Sequence, residues 1–382
     1  DAVFQGIRTS ANKVYIVEVL NAGRIESEDC GDTVTVVPTG GSEEYEIETD
    51  LLRPFLAGNE VKRWRGEWGG LHVVHPYYAE ETEDGELEAG LYSQDHLRDN
   101  LPQTWEFFLA HKDKLEAREG GRKEGQDDWY GYIYPKNLGK FESPKIVQAE
   151  ISDRATYLID EVGTWYFTTG YGVALTNRHR EQTTEIACQL NSKVLDFYLK
   201  HIAAIKAGGF YSYRTQYVEK LPCKTDDSAG VFGTMRETAG EIVDTIDLDS
   251  KTDRFPEAYL GEYDGELEYI TYEWQTRRYP VDAEIQGGVD GEFTVQAGRS
   301  DTITDPAMYA DDREARKHRA EYVHAAVDGR NVKSGAETTI PIPRSDDGVD
   351  ALLSRLAADR EAVAETSIDE LEAEIDEAVY DL

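Results

Sequence analysis

Cysteine is scarce in this chain. Cys30, Cys188 and Cys223 are its only three thiols in 382 residues, and no CxxC pair occurs. That spacing leaves no basis for a disulfide framework or a cysteine zinc site and fits a cytoplasmic setting. No run of about 18 apolar residues exists, and the opening DAVFQGIRTS lacks a charged stretch followed by an apolar one, so neither a membrane span nor a secretory signal is expected. Pro-Pro is absent, which removes the Asn/Asp/Ser-Pro-Pro-aromatic loop that holds the amino group in adenine-N6 methyl transfer; His75-Pro76-Tyr77-Tyr78 is only a superficial likeness. There is likewise no GxGxxG after a strand, no GxxxxGK[ST] and no GxSxG. The first residue is Asp rather than Met, and the last helical segment stops abruptly at Leu382; both features read as a piece of a longer protein.

What is abundant is carboxylate. Lys+Arg number 40 against 76 Asp+Glu, a formal charge of −36. The acids are dispersed rather than gathered in a tail, a pattern that suits a salt-rich cytoplasm: near 1 M salt the Debye length is only about 3 Å and self-repulsion is screened. Halophilic surface adaptation explains this better than a docking face for a cationic partner, and a bulk adaptation does not argue against nucleic acid. Local balance is then the better guide. Residues 126–225 carry 12 basic and 11 acidic side chains, whereas residues 226–382 carry 15 and 39. One stretch has been held near neutrality.

With 40% hydrophobic and 10% aromatic residues, the chain can fill a core, and its length suggests more than one domain. Residues 14–20 and 33–37 are β-branched runs bounded by Gly, Asn and Asp, and read as strands. Residues 94–118 place Leu97, Leu101, Trp105, Phe108 and Leu115 at helical spacing and predict one long helix. Short strands are expected at 129–134, 145–151, 155–159 and 165–169, with hairpin turns at 152–154 and 161–163. A second long helix is predicted over 181–207, with Ile186, Leu190, Val194, Leu195 and Tyr198 on one face and Gly208-Gly209 after it. Beyond residue 226 the pattern shifts to helices with a small β region at 282–297. Asp305-Pro306 predicts a helix start running to about Ala326, and Thr366 or Ser367 a capping box for the last helix. The sum is an α+β chain with one domain over 1–225 and a helix-rich region over 226–382.

Among candidate chemical groups, His72 and His75 are spaced HxxH rather than HExxH, and Glu60-x-Lys62 resembles half of a metal-dependent nuclease site. The other six histidines are scattered, so the pair reads as ordinary polar histidines, and carboxylate-x-lysine triplets arise readily by chance in so charged a chain. The stronger signals are basic and aromatic residues interleaved on short segments, a mixture suited to phosphates and base edges. LLRPFLAGNEVKRWRGEW carries Arg53, Lys62, Arg63 and Arg65 around Trp64. A second group comprises Tyr130, Tyr132, Tyr134, Lys136, Asn137 and Lys140, the tyrosines sharing one strand face. GGFYSYRTQYVEKLP supplies Tyr211, Tyr213, Arg214 and Gln216. The alternative for each is an aromatic face packed on the core with Arg and Lys at its rim.

In order along the chain, VFQGIRTSANKVYIV, LLRPFLAGNEVKRW, SPKIVQAEIS, LNSKVLDFYLK and FYSYRTQYVEKLP, with the final SIDELEAEIDEAVYDL, resemble the C-terminal specificity region of type IIG restriction-modification methyltransferases, with a TaqI-like target-recognition domain. Phage-defence methyltransferases of the BREX type share this architecture. The resemblance implies a recognition domain of short mixed strands and two long helices that grips double-stranded DNA, while a catalytic domain preceding Asp1 binds S-adenosyl-L-methionine and modifies an extruded adenine. No cofactor and no metal is then expected in this chain. The resemblance implies that Arg8, Thr9 and Lys13 lie at the domain junction or on phosphate. By the same token Arg53, Lys62, Arg63 and Arg65 position phosphates, and Tyr132, Lys136, Asn137, Tyr213, Arg214 and Gln216 approach base edges. Two other readings stay open: a metal-dependent halophilic hydrolase or nuclease, and a protein-interaction module of a phage-defence complex docking through its acidic C-terminal region.

Overall fold

The computed structural model describes residues 2–20, 33–83, 85, 87–176, 178–275, 280–287 and 292–382; Cys30 and part of the 282–297 region lie outside these. The chain divides into two compact units, Asp1–Gly240 together with Asp369–Leu382, and Glu241–Ile368. The architecture is α+β.

The first unit is built on two sheets. One has four strands in the order Ala2–Gln5, Tyr171–Ala174, Lys145–Gln148, Leu158–Asp160, all antiparallel. The other has six, in the order Tyr166–Phe167, Leu52–Leu56, Leu71–Val74, Ile16–Val19, Thr33–Pro38, Tyr45–Glu48. In Thr33–Pro38 burial alternates, with Val34 and Val36 fully inside, as a half-buried strand requires. The strand over Tyr166–Phe167 runs parallel to Leu52–Leu56, so the 161–163 turn joins two different sheets and is not a hairpin. Asp160 organises that crossing: its carboxylate accepts the N–H groups of Gly163, Thr164 and Trp165 and faces the buried Lys145 ammonium, which also donates to the Phe141 carbonyl at 2.8 Å. The 152–154 turn likewise leads between sheets, because Ile151–Ser152 pairs with Tyr211–Ser212.

The first helical segment keeps its expected apolar face and the second only part of it, and neither has the expected length. The 94–118 segment is three helices, Gln94–Asn100, Pro102–Ala110 and Lys112–Glu116, interrupted at Leu101 before proline and at His111; proline cannot donate to the preceding turn. Leu97, Leu101, Trp105, Phe108 and Leu115 are all buried. The 181–207 segment breaks at Ser192, which leaves the helical region and caps Lys193–Ile202 through a hydroxyl accepting the Leu195 N–H. The break shifts the helical phase, so Ile186, Leu190 and Leu195 are buried while Val194 and Tyr198 face solvent.

Residues 129–134 form no strand. Their polar groups are satisfied from elsewhere: the buried Arg118 donates to the carbonyls of Trp129 and Gly131, the Tyr15 hydroxyl to the carbonyl of Tyr130, and the Tyr132 N–H to the Tyr77 hydroxyl. Tyr130 and Tyr132 are therefore core residues. Gly139 follows, so close to the Leu87 carbonyl that a Cβ there would stand 1.7 Å from its oxygen.

In the second unit, Leu267–Glu273 pairs antiparallel with Glu337–Pro343, and a three-stranded sheet joins Ala283–Gly287, Phe293–Ala297 and Asp301–Ile303. Its core gathers Phe255, Trp274, Val295, Tyr322, Ile340 and Leu352. Asp305 caps only a short 3-10 turn, Pro306–Met308; the helix begins at Arg313, with Asp312 accepting the N–H groups of Glu314 and Ala315.

Candidate nucleic-acid interface

An open polar cleft of about 600 Å³ lies on the first unit, between the opening segment and Glu119, Tyr134, Glu150, Thr168 and Thr169. The segment around Gly6 is laid against residues 167–170: the Gly6 N–H donates to the Gly170 carbonyl and the Ile7 N–H to the Phe167 carbonyl. A Cβ on Gly6 would stand 2.6 Å from two carbonyl oxygens, so the close approach depends on glycine. On the other side Arg8 and Tyr134 form an isolated antiparallel bridge.

Inside the cleft, Glu119 accepts from the Ser10 hydroxyl and from the Tyr134 hydroxyl, each at 2.8 Å. The bonds from Tyr134 and Ser10, and then Arg122, hold its carboxyl below the usual glutamate range. The guanidinium groups of Arg8 and Arg122 stand 5.9 and 5.0 Å from the centre of the Tyr134 ring, within cation–π range. Across the cleft, Glu150 is paired with Arg214. Tyr171 responds to three of these charges: burial first, then Glu150, raises its phenol, while Arg214 and Arg8 pull it down.

Backbone strain collects here. Among the described residues four non-glycine residues have left-handed φ, namely Ser10, Trp64, Glu119 and Asn137. Ser10 and Glu119 line the cleft and are bonded to each other, and Asn137 lies three residues beyond Tyr134, its carbonyl accepting the Lys140 N–H. Such conformations persist only where surrounding contacts over-determine them, and they concentrate at working surfaces.

The expected site residues separate under this geometry. Arg8, Lys13, Lys136, Asn137, Arg214 and Gln216 are exposed. Thr9 is buried and acts locally: its hydroxyl donates to Asn12 Oδ1 at 2.6 Å and accepts the Ala11 N–H. Tyr132 is a correction. It is enclosed by Tyr15, Tyr77 and His75, with its hydroxyl donating to the Val74 carbonyl at 2.8 Å, and cannot approach a base. Tyr213 is a second correction, fully buried with its hydroxyl on Asp196 at 2.8 Å.

The Arg53 group is mostly spent internally. Arg53 bonds Glu142 and the carbonyls of Asp50 and Leu52. Arg63 donates to Glu372 and to the Asn191 carbonyl, and Trp64 donates its indole N–H to the same Glu372. Arg65 is half-buried. Lys62 is exposed and pairs with Glu67 at 3.4 Å.

The two isolated patterns resolve as structure: Glu60 accepts the Ala57 N–H to close a turn, and His72 and His75 are buried, which pushes both below the usual histidine range. Among the described residues no group of three or more His, Cys, Asp and Glu side chains could hold a metal ion, and no helix is long and apolar enough to cross a membrane.

Glu119 and Glu150 are the site residues that sequence reasoning missed. In a chain with 76 carboxylates nothing in the pattern distinguishes them.

Residues 53–223 match the family of TaqI-like C-terminal specificity domains; Tyr134, Glu150, Thr168, Thr169 and Arg214 lie inside that stretch, and Arg8, Ser10 and Asn12 precede it. The chain is also similar to the Type II methyltransferase M.BstVI of Geobacillus stearothermophilus, at 22% identity over 220 residues. That alignment covers 56% of this chain and 32% of the relative, so the chain spans about a third of that protein's length.

Proposed function

We propose that this chain is the DNA target-recognition part of an adenine-N6 methyltransferase or restriction-modification enzyme of type IIG or BREX phage-defence character, working in a salt-rich cytoplasm. The observation that carries the reading is the cleft, where Arg8, Tyr134 and the Glu150–Arg214 pair meet on a chain whose residues 53–223 match a specificity-domain family. Arg8, Lys13, Lys62 and Lys136 contact phosphates of double-stranded DNA. Asn137, Arg214 and Gln216 approach base edges. Arg53, Arg63 and Arg65 hold the loop that carries Lys62.

S-adenosyl-L-methionine belongs to a catalytic domain outside this sequence, which clamps the duplex from the other side; no step of methyl transfer is assigned to residues of this chain. The recognition side helps offset the few kcal/mol of unstacking needed to extrude a base. In a salt-rich setting the counterion-release contribution is small, because log K falls by about 0.9 per neutralised phosphate for each tenfold rise in salt. Discrimination must then come chiefly from shape and base contacts.

The test is binding of the 382-residue chain to a pool of randomised duplexes from about 0.2 to 1 M KCl, with sequencing of the retained DNA. Enrichment of one motif is the expected result. Retention of no duplex at any salt, or cleavage of DNA by the chain with magnesium, would refute the reading. Lys136→Ala should weaken binding to every duplex about equally and flatten the salt slope.

A further inference from the structure

Arg214, like Arg122 beside Glu119, already has a carboxylate partner, whereas Arg8 pairs with no carboxylate among the described residues. Its Nε donates to Oε1 of Glu150 at 2.7 Å, and its Nη2 forms an ion pair with the same oxygen at 2.5 Å. The pair is half in solvent, with side-chain exposures of 51% for Arg214 and 20% for Glu150. Both contacts fall on one oxygen, and Oε2 of Glu150 and Nη1 of Arg214 take no hydrogen bond among the described residues. The pair therefore presents unused donors beside an unused acceptor.

The backbone fixes both side chains. The Tyr213 N–H donates to the Glu150 carbonyl at 2.9 Å, Ile151 pairs with Ser212, and the Arg214 carbonyl accepts the N–H groups of Tyr217 and Val218. The buried Tyr213, bonded to Asp196, anchors the ribbon from beneath. A two-stranded ribbon of this kind fits the width of a major groove.

The charge balance separates two roles. A neutralised arginine is a weak anchor for phosphate, whereas Arg8 has no ion pair with a carboxylate among the described residues and Lys136 is exposed. Hydrogen-bond complementarity points the same way. The major-groove edge of a G·C pair runs acceptor, acceptor, donor across guanine N7, guanine O6 and cytosine N4. Arginine supplies two donors and glutamate one acceptor. Against an A·T pair the same side chains meet like partners, since adenine N6 is a donor and thymine O4 an acceptor.

We infer that Arg214 and Glu150 together read one G·C pair, Arg214 on the guanine and Glu150 on the cytosine amino group. This rests on the DNA-recognition reading above and adds Glu150 as a specificity-determining residue. In the selection from randomised duplexes at fixed salt, the unaltered chain should return a motif with a required G·C position. Arg214→Ala should lose preference at that one position, with cognate affinity falling between about five- and a hundredfold and affinity for scrambled duplex unchanged. Glu150→Gln should relax the same position, and Arg8→Ala should weaken all duplexes while keeping the motif. Equal loss on cognate and scrambled DNA in Arg214→Ala, an unchanged motif in both variants, or a wild-type motif with no required G·C pair would overturn the inference and leave the DNA reading standing. Failure of the unaltered chain to retain any duplex would overturn both.

Discussion

Replacing Glu372 by Ala tests a charged tertiary joint of the first unit. Glu372 lies on the helix Ile368–Asp381 and accepts both the Arg63 guanidinium and the Trp64 indole N–H, the latter at 2.7 Å. Arg63 and Glu372 are only 11% and 14% exposed, and Trp64 is buried. Truncation leaves a guanidinium held by the carbonyls of Ala155 and Asn191 but without a counter-charge, and an indole N–H without an acceptor. Breaking a buried pair costs about 3–5 kcal/mol and orphaning a buried donor about 1–3. The two overlap, and water reaches the exposed edge, so about 3 kcal/mol is expected. Glu372→Gln keeps an acceptor and should cost about half as much.

The pH dependence has a definite sign. Burial pushes the Glu372 carboxyl up, but the bonds from Arg63 and Trp64 outweigh it and leave the group below the usual glutamate value. A depressed carboxyl stabilises the fold above its unfolded-state pKa and loses that contribution as pH falls through the folded value. The cost of Glu372→Ala in urea unfolding, followed by tryptophan fluorescence, should be full at pH 7 and shrink below about pH 4. A cost under about 1 kcal/mol, or one constant from pH 7 to 3, would refute the argument.

Tyr132→Phe removes the buried hydrogen bond to Val74 and the longer contact with His75 Nδ1 and should lower stability by about 1–2 kcal/mol with DNA sequence preference unchanged; an altered motif would return Tyr132 to the interface. Gly139→Ala places a methyl against the Leu87 carbonyl, backbone that cannot rotate away, and should cost about 1–3 kcal/mol; an unchanged Tm would contradict the packing. His75 is held neutral, its value pushed well down by burial and then by Arg53. Only the unfolded chain takes up that proton, so stability should fall as pH drops through the ordinary histidine range, by up to about 1.4 kcal/mol per pH unit. His75→Leu should flatten that slope, and an identical slope in the variant would sink the assignment.

The apolar faces were legible because helical periodicity survives interruption. Leu97, Leu101, Trp105, Phe108 and Leu115 all point inward although Pro102 and His111 divide the helix. Periodicity failed where a capping residue shifted the phase, as at Ser192, which turned Val194 and Tyr198 outward. The tyrosines of 129–134 misled for another reason. Their alternation imitates a strand, but the partners of that backbone are buried side chains, Arg118, Tyr15 and Tyr77. Arg8, Lys136 and Arg214 are exposed as expected. Tyr132 and Tyr213 are not, because an aromatic next to a basic residue has the same pattern in a core as in a groove. Glu119 and Glu150 gave no signal at all; their roles come from long-range pairing with Ser10, Tyr134 and Arg214.

Hydrogen–deuterium exchange of the chain with and without its selected duplex asks directly where DNA lies. Slowed exchange at residues 5–12, 134–140 and 210–216, with little change in the second unit, is the predicted result. Protection confined to other surfaces, with those three segments exchanging as fast as in the free protein, would contradict the assignment of the cleft.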